Sequence, residues 1–183
     1  MGLTAAAPIE AHAVTRALVV RAQNGDAEAF AELLADHYDM IHRTAWKWCG
    51  NRADAEDVAQ DVCVKLGSAL AGFDGRSAFS SWVYRITLNA VRDMQRAGRR
   101  RGKYADAYAE ISPGEQAPEQ EAAATSGQLW QAVRQLPEKQ RDAVLLVYAE
   151  ELSHAAAAEI MGIREATVSF HVHEARKTLR GLL

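Results

Sequence analysis

The sequence predicts an all-α protein with two small helical bundles joined by an acidic, flexible linker. Apolar residues recur at helical spacing along most of the 183 residues, and no segment shows convincing strand alternation. Residues 104–127 contain five acids, no base and no clear apolar period, which is typical of a linker. We therefore expect a disordered tail over 1–13, a first domain over 14–101, a linker over 102–127 and a second domain over 128–183.

The composition excludes several classes of protein. The 21 basic and 24 acidic residues give a net charge of −3, so overall charge indicates no particular partner. Two cysteines, Cys49 and Cys63, are too few for a disulfide scaffold or a zinc module. The chain has no apolar run long enough to span a membrane, and residues 1–13 do not resemble a signal peptide. We expect a cytoplasmic protein without a metal or cofactor.

Turns and caps divide the first domain into helices. Residues 14–23 form a short amphipathic segment, and the turn "NGD" ends in Asp26, a suitable N-cap for a longer helix that runs to about Cys49. Another helix is predicted from about Ala53. Its core side carries apolar residues four positions apart, namely Val58, Val62 and Leu66.

A cationic helix follows the glycine-containing loop Gly72–Ser77. Its apolar stripe includes Phe79, Trp82 and Val83, and the spacing of Trp82 favours a core position. Between residues 85 and 103 there are seven basic residues and one acid. Polar and basic side chains share a second face of this helix, at positions Arg85, Asn89, Arg92 and Arg96. Such a face is suited to nucleic-acid phosphates.

The C-terminal segment "AAAAEIMGIREATVSFHVHEARKTL" has the spacing of a helix-turn-helix. Ala158 allows close helix approach, Gly162 suits the turn, and Val168 anchors the second helix. The side chains expected to face outward or sideways are Arg164, Thr167, Ser169, Phe170, His171, His173, Arg176 and Lys177. Residues i and i+2 on a helix point in different directions, so His171 and His173 cannot bind one metal ion from one face.

Taken together, these motifs resemble the extracytoplasmic-function (ECF, group IV) type of the bacterial sigma-70 family. "DAEDVAQDVCVKL" looks like the family's core-polymerase-binding segment, and "SAFSSWVYRITLNAVRD" looks like its promoter-melting helix. "LPEKQRDAVLLVYAEELSHAAAAEIMGIREATVSFHVHEARKTL" looks like its −35-reading domain. The resemblance implies a transcription initiation factor that binds RNA polymerase core enzyme and promoter DNA. It also implies control by an anti-sigma factor.

The resemblance assigns three groups of residues. Core-polymerase binding falls on Asp57, Gln60 and Asp61, which share one face of their helix. Binding of the single-stranded −10 DNA is assigned to Asp74, Arg76, Ser77, Arg85, Asn89, Arg92 and Arg96. Binding of the duplex −35 DNA is assigned to the eight helix-turn-helix residues named above as facing outward or sideways. That recognition helix has fewer arginines than is usual in the family, which predicts more apolar and thymine-methyl contact.

Two other classes of function fit parts of the pattern. One is a stand-alone helix-turn-helix regulator whose N-terminal half binds a partner; it would bind duplex DNA without polymerase. The other is an enzyme, for example a metal-dependent hydrolase built on helices. The sequence offers no convergent metal ligands, no Ser/His/Asp or Cys/His arrangement and no phosphate-binding glycine loop, so we predict no catalytic residues.

Overall fold

The computed structural model describes the backbone of residues 6–105 and 121–182, and the side chains of residues 13–98 and 128–182. Every regular element in these ranges is helical, which confirms the predicted fold class. The main helices are α1 (Ala6–Gln23), α2 (Ala27–Cys49), α3 (Arg52–Ala69), α4 (Phe79–Ala105), α5 (Glu121–Gln135), α6 (Glu138–Val144), α7 (His154–Met161) and α8 (Glu165–Leu182).

The chain divides into two compact units, Met1–Val91 and Arg92–Leu183. Helix α4 crosses this boundary, so the second unit begins ten residues before the end of the first domain expected from the sequence. The difference arises because the sequence marks a domain end by a change in composition, whereas a compact unit is set by the contacts its residues make.

Local capping explains where the helices of the first unit begin and end. The carboxylate of Asp26 accepts hydrogen bonds from the backbone N–H groups of Glu28 and Ala29, as expected for an N-cap. These bonds and the Arg21 side chain hold the pKa of the Asp26 carboxyl below its ordinary value. Helix α2 ends at Gly50, which has a positive φ of 78°.

Helices α2, α3 and the first half of α4 supply most of the core of the first unit. Among the fully buried side chains are Ile41 and Trp48 from α2, Val62 from α3, and Val83 and Leu88 from α4. The predicted core positions Val58, Val62 and Leu66 are all buried. Packing these apolar faces together is what holds the helices in place, because most of the stability of helices in proteins comes from tertiary packing of an amphipathic face.

Two segments expected to be irregular are partly helical. The expected tail was wrong for residues 6–13, because α1 begins at Ala6. This segment is rich in alanine, and Pro8 lies in the first turn, where its missing N–H costs no hydrogen bond. The expected linker was wrong at its ends, because α4 runs to Ala105 and α5 begins at Glu121. Residues 1–5 and 106–120 lie outside the described part of the chain.

The second unit contains the predicted helix-turn-helix. Ser153 caps α7 by accepting from the N–H of Ala156, and Gly162 follows α7 with a φ of 65°. Helix α8 buries Val168, Val172 and Ala175 against the unit's core. Between α6 and α7 the chain makes one π-helical turn, Leu145–Ala149, which the sequence pattern did not indicate.

We expect Gly162→Ala to destabilise the protein by about 1 kcal/mol, because an alanine is strained at positive φ. A Cβ at Gly162 would meet nothing within 4 Å, so backbone strain is the dominant effect. Gly98→Ala is the matched control, since Gly98 is exposed within α4 and also has open space around it. That control should raise stability by about 0.5–1 kcal/mol. Urea unfolding of both variants measures the two effects, and equal signs would contradict this account of the turn.

Candidate functional site

A cavity of about 500 Å³ lies beside the start of α4 in the first unit. Its walls come from three helices and the loop before α4. The residues used below are Thr15 and Arg16 of α1, His37 of α2, Phe73 and Arg76 of the loop, and Phe79 of α4. The combination of aromatic rings, guanidinium groups and hydroxyls can stack a flat ring and hydrogen-bond to its edge.

The loop that borders the cavity is shaped by its own side chains. Oδ1 of Asp74 accepts a hydrogen bond of 3.1 Å from the backbone N–H of Arg76, and Gly75 between them has a φ of 72°. Oδ2 of Asp74 lies 3.1 Å from Nε of Arg76. The Arg76 side chain is 88% exposed, so its positive charge is in contact with solvent.

Three aromatic rings pack together at the base of this loop. The ring centroid of Phe73 lies 5.4 Å from that of Phe79 and 5.1 Å from that of Trp82, and Phe79 and Trp82 are 5.5 Å apart. Phe79 is buried, whereas Trp82 is half-buried. Trp82 is therefore only partly buried, although a core position was predicted for it. Its ring packs against Phe73 and Phe79, which line the cavity.

The predicted −10 residues on α4 have different surroundings. Arg85 is half-buried and its Nη2 lies 3.5 Å from Oγ of Ser77, which links the helix to the loop. Asn89 is exposed. The structure thus brings Asp74, Arg76, Ser77 and Arg85 together at one end of α4.

Arg92 lies in an ion-pair network of the second unit. Its guanidinium pairs with the carboxylates of Asp142 and Glu138, which are one turn apart on α6. The side chain of Arg92 is 14% exposed and that of Asp142 is fully buried. Nη2 of Arg141 donates to Oε1 of Gln95 at 2.9 Å.

Arg96 is held more loosely in the same network. Its side chain is 57% exposed, and its nitrogens lie 3.7 Å from Asp93 and 3.8 Å from Glu138. Spacing alone identified Arg92 and Arg96 but could not indicate their acidic partners on α6, Glu138 and Asp142, because those lie more than 40 residues away in the sequence.

The predicted polymerase-binding residues form an exposed surface of α3. Asp57, Gln60 and Asp61 are all exposed, and Asp61 pairs with Lys65 at 2.8 Å. Val64 continues the same face and is 74% exposed, although it is a branched apolar residue. The sequence analysis missed Val64, but its spacing of three and four residues from Asp61 and Gln60 carried the signal.

Most of the predicted −35 residues are exposed on or just before α8. This group comprises Arg164, Ser169, Phe170, His173, Arg176 and Lys177. Phe170 is 58% exposed. Oγ of Ser169 lies 2.8 Å from Nδ1 of His154, the first residue of α7, so Ser169 also links the two helices of the motif.

Thr167 and His171 lie sideways on the helix rather than fully outward. Both are half-buried, and Nδ1 of His171 is enclosed without a hydrogen bond in the described part of the chain. The helical period explains this placement, because residue 171 lies next to the buried Val168 and Val172 on the helix surface.

The described residues contain no group of three or more His, Cys, Asp or Glu side chains that could hold a metal ion. Cys49 and Cys63 are not joined in a disulfide, and burial raises the pKa of the Cys63 thiol. Within the same residues, no helix is both long and apolar enough to cross a membrane.

Two family models match separate parts of the chain. Sigma-70 region 2 matches residues 33–101, and sigma-70 region 4 matches residues 126–179. The first range contains α3, the loop and the cationic part of α4, and the second contains the helix-turn-helix. The fold and these sites therefore define a two-part bacterial transcription initiation factor.

Known proteins that resemble the chain along most of its length are ECF sigma factors. SigW of Bacillus subtilis is 30% identical over 174 residues, which cover 88% of this chain and 92% of SigW. The sigma-H factor of Pseudomonas aeruginosa is 32% identical over 176 residues, which cover 88% of this chain and 90% of the sigma-H factor. The structure of CnrH in complex with the cytosolic domain of CnrY has a TM-score of 0.68 and 25% identity, covering 92% of this chain and 96% of the CnrH chain.

The chain belongs to the ECF family of RNA polymerase sigma factors. It is therefore an initiation factor that acts with RNA polymerase on promoter DNA. A second solved structure, sigma factor RpoE in complex with the anti-sigma factor NepR from Bartonella quintana, shares the fold, with a TM-score of 0.67 and 24% identity.

We expect Asp142→Asn to destabilise the protein by up to about 3 kcal/mol, because the substitution leaves the largely buried Arg92 guanidinium with a weaker partner. Asp93→Asn is the matched control, since Asp93 belongs to an exposed pair with Arg96 and should cost less than about 1 kcal/mol. Thermal or urea unfolding distinguishes the two. Equal losses in both variants would show that the Arg92–Asp142 pair contributes no more than a surface pair.

Proposed function

We propose that this sigma factor divides promoter recognition and polymerase binding among three surfaces. The cavity beside α4 takes a base of the opened −10 strand, the exposed face of α3 binds core polymerase, and α8 reads the −35 duplex. The observation that carries the proposal is the cavity itself, because aromatic rings, arginines and hydroxyls converge there next to the region 2 helix.

The cavity suits a base that has left the stack. Extruding a base from duplex DNA costs a few kcal/mol, which a protein offsets by stacking and hydrogen bonding in a pocket. Phe73 and Phe79 offer apolar ring surface, and Arg16 and Arg76 offer positive charge for the adjoining phosphates. Arg85, Asn89 and Arg96 lie further along α4, where the single strand would continue.

The network around Arg92 gives it a different role from the exposed cations. Its guanidinium pairs with two carboxylates, so it can bind a phosphate only if those pairs open. We assign direct strand contact to Arg76 and Arg96, which are exposed. Arg92 contributes to −10 binding only when it exchanges Asp142 and Glu138 for the DNA backbone.

The face of α3 combines charge with apolar surface. Asp57, Gln60 and Asp61 offer hydrogen-bond acceptors on one face. Burial of the exposed Val64 side chain against a partner would remove apolar surface from water, which favours binding. This composition fits a basic partner surface on polymerase with apolar side chains at its centre. The charge supplies orientation, and Val64 supplies part of the affinity.

Helix α8 fits the major groove. Arg164 and Ser169 lie in or just before its N-terminal half, the part of a recognition helix that meets base edges. Phe170 is positioned to contact thymine methyl groups, and Arg176 and Lys177 to contact phosphates. We ascribe no catalysis to the chain itself and place it in the cytoplasm with its polymerase.

Two classes of variant should separate the proposed surfaces. Asp57→Lys should weaken core-polymerase binding and all transcription together, because it reverses a charge that would face a basic partner. Arg76→Ala or Arg96→Ala should leave core binding unchanged and lower the salt slope of promoter binding by about one, as expected for one lost phosphate contact. Fluorescence anisotropy and open-complex formation at several salt concentrations measure both.

Glu32→Lys is the control for this experiment, because it makes the same charge reversal at an exposed position of α2. The assignment is wrong if Asp57→Lys behaves like that control while the arginine variants lose core binding. High-affinity binding of the free chain to duplex promoter without polymerase would instead favour the stand-alone regulator.

We further propose that an anti-sigma factor holds the chain inactive. Support comes from the solved relatives CnrH, in complex with the cytosolic domain of CnrY, and RpoE, in complex with the anti-sigma factor NepR. In this chain, Val64 and Phe170 are large apolar side chains exposed on proposed binding surfaces. An inhibitor that covers such surfaces blocks polymerase or promoter binding directly.

Purification of the chain from its own cells should recover a stoichiometric protein that competes with core polymerase. The purified inhibitor should lower core binding of the wild-type chain in proportion to its concentration. Asp57→Lys and Val64→Ala should change its affinity if it covers α3. A co-purified protein that leaves polymerase and promoter binding intact does not have this role.

A further inference from the structure

His37 lies on α2 and forms part of the cavity wall. Its imidazole meets Phe79 edge-to-face, with ring centroids 5.0 Å apart and an interplanar angle of 88°. Nδ1 of His37 is 2.8 Å from the carbonyl oxygen of Leu33. Because a carbonyl oxygen can only accept, Nδ1 carries the proton, and Nε2 of the neutral ring is an acceptor.

This acceptor complements the other polar groups of the cavity wall. The guanidinium groups of Arg16 and Arg76 can only donate, and the hydroxyls of Ser77 and Ser80 can donate or accept. The wall thus offers a fixed acceptor from α2 together with donors from α1 and the loop. A volume of about 500 Å³ is ample for one flat nucleobase with part of its sugar.

The four bases differ in how they meet such a wall. Cytosine and adenine present an exocyclic amino group beside a ring nitrogen that accepts, so the amino group can donate to Nε2 while a hydroxyl or guanidinium donates to the ring nitrogen. Thymine and guanine present a carbonyl oxygen at the corresponding position. That oxygen would face the lone pair of Nε2, and two acceptors that face each other are unfavourable in a confined site.

We propose that His37 is a specificity-determining residue that selects cytosine or adenine for the flipped position of the −10 strand. The inference rests on the proposed function of the cavity and adds which chemical group of the base is read, and by which side chain. His37 precedes Phe73 of the loop by 36 residues, so the residues that border the base come from segments far apart in the sequence.

The decisive variant is His37→Phe, which keeps an aromatic ring against Phe79 and removes both ring nitrogens. Holoenzyme made from the full chain and core polymerase is used to select open complexes from a promoter library randomised across the −10 element. For wild type, one position should favour cytosine or adenine over thymine or guanine by about tenfold. In His37→Phe the preference at that position alone should fall to less than about threefold.

A base analogue separates hydrogen bonding from shape. On a selected promoter, the favoured cytosine is replaced by 2-pyrimidinone, or the favoured adenine by purine, so that only the amino group is lost. Open-complex formation by wild type should fall about tenfold, whereas His37→Phe should respond to the two bases equally. His42→Phe is the matched control, because His42 stacks on Tyr38 and is not among the residues lining the cavity; it should behave as wild type.

His37→Gln provides a second variant in case the phenylalanine variant does not fold. Its side-chain oxygen restores an acceptor, so part of the preference for amino bases should return. Selection that shows no −10 preference in wild type would overturn the proposed function of the cavity. A clear −10 preference that favours keto bases, or that His37→Phe and His37→Gln leave unchanged, would overturn the role of His37 and leave the proposed function standing.

Discussion

The helical period of α4 is the constraint on which the candidate DNA surface depends. One side of this helix buries Val83, Leu88 and Val91 in the core of the first unit, so its orientation is determined by apolar packing. The polar positions Asn89 and Arg96 then point elsewhere without any cost to that core. Because the same burial fixes Phe79 at the start of the helix, it also places the loop and the cavity close to Arg85.

In the second unit, the buried charge of Asp142 is balanced by an ion pair within the protein. Asp142 is fully buried, and a buried carboxylate without a partner would be strongly unfavourable. Arg92 supplies that partner and is itself largely removed from water. A phosphate that attracts Arg92 must therefore compete with an existing ion pair, whereas one that attracts Arg76 meets an exposed side chain. Arg92 and Arg76 carry the same charge but are thus unequal as DNA contacts.

Local signals in the sequence predicted the helices and their caps, but not the long-range contacts. Asp26 and Gly162 act where expected because caps and turns involve neighbouring residues. The extension of α1 was missed because composition suggested a tail, although alanine favours a helix. The partners of Arg92 and the position of His37 depend on packing between segments far apart in sequence, which no periodicity encodes. Arg76 and Ser77 of the loop were predicted to bind −10 DNA, but the sequence did not indicate that α1 and α2 also contribute to the cavity that they line.

The recognition helix shows how specificity and affinity can be separated in this protein. With Phe170 exposed where charge is more usual, α8 has less electrostatic attraction for DNA than an arginine-rich helix would have. A sigma factor acts while bound to polymerase, so its DNA contacts form at a high effective concentration and need little affinity of their own. In the proposed −35 contact, thymine methyl groups would provide sequence discrimination without the non-specific binding that additional arginines would bring. A weakly charged α8 also favours promoter binding through the holoenzyme over binding by the free chain.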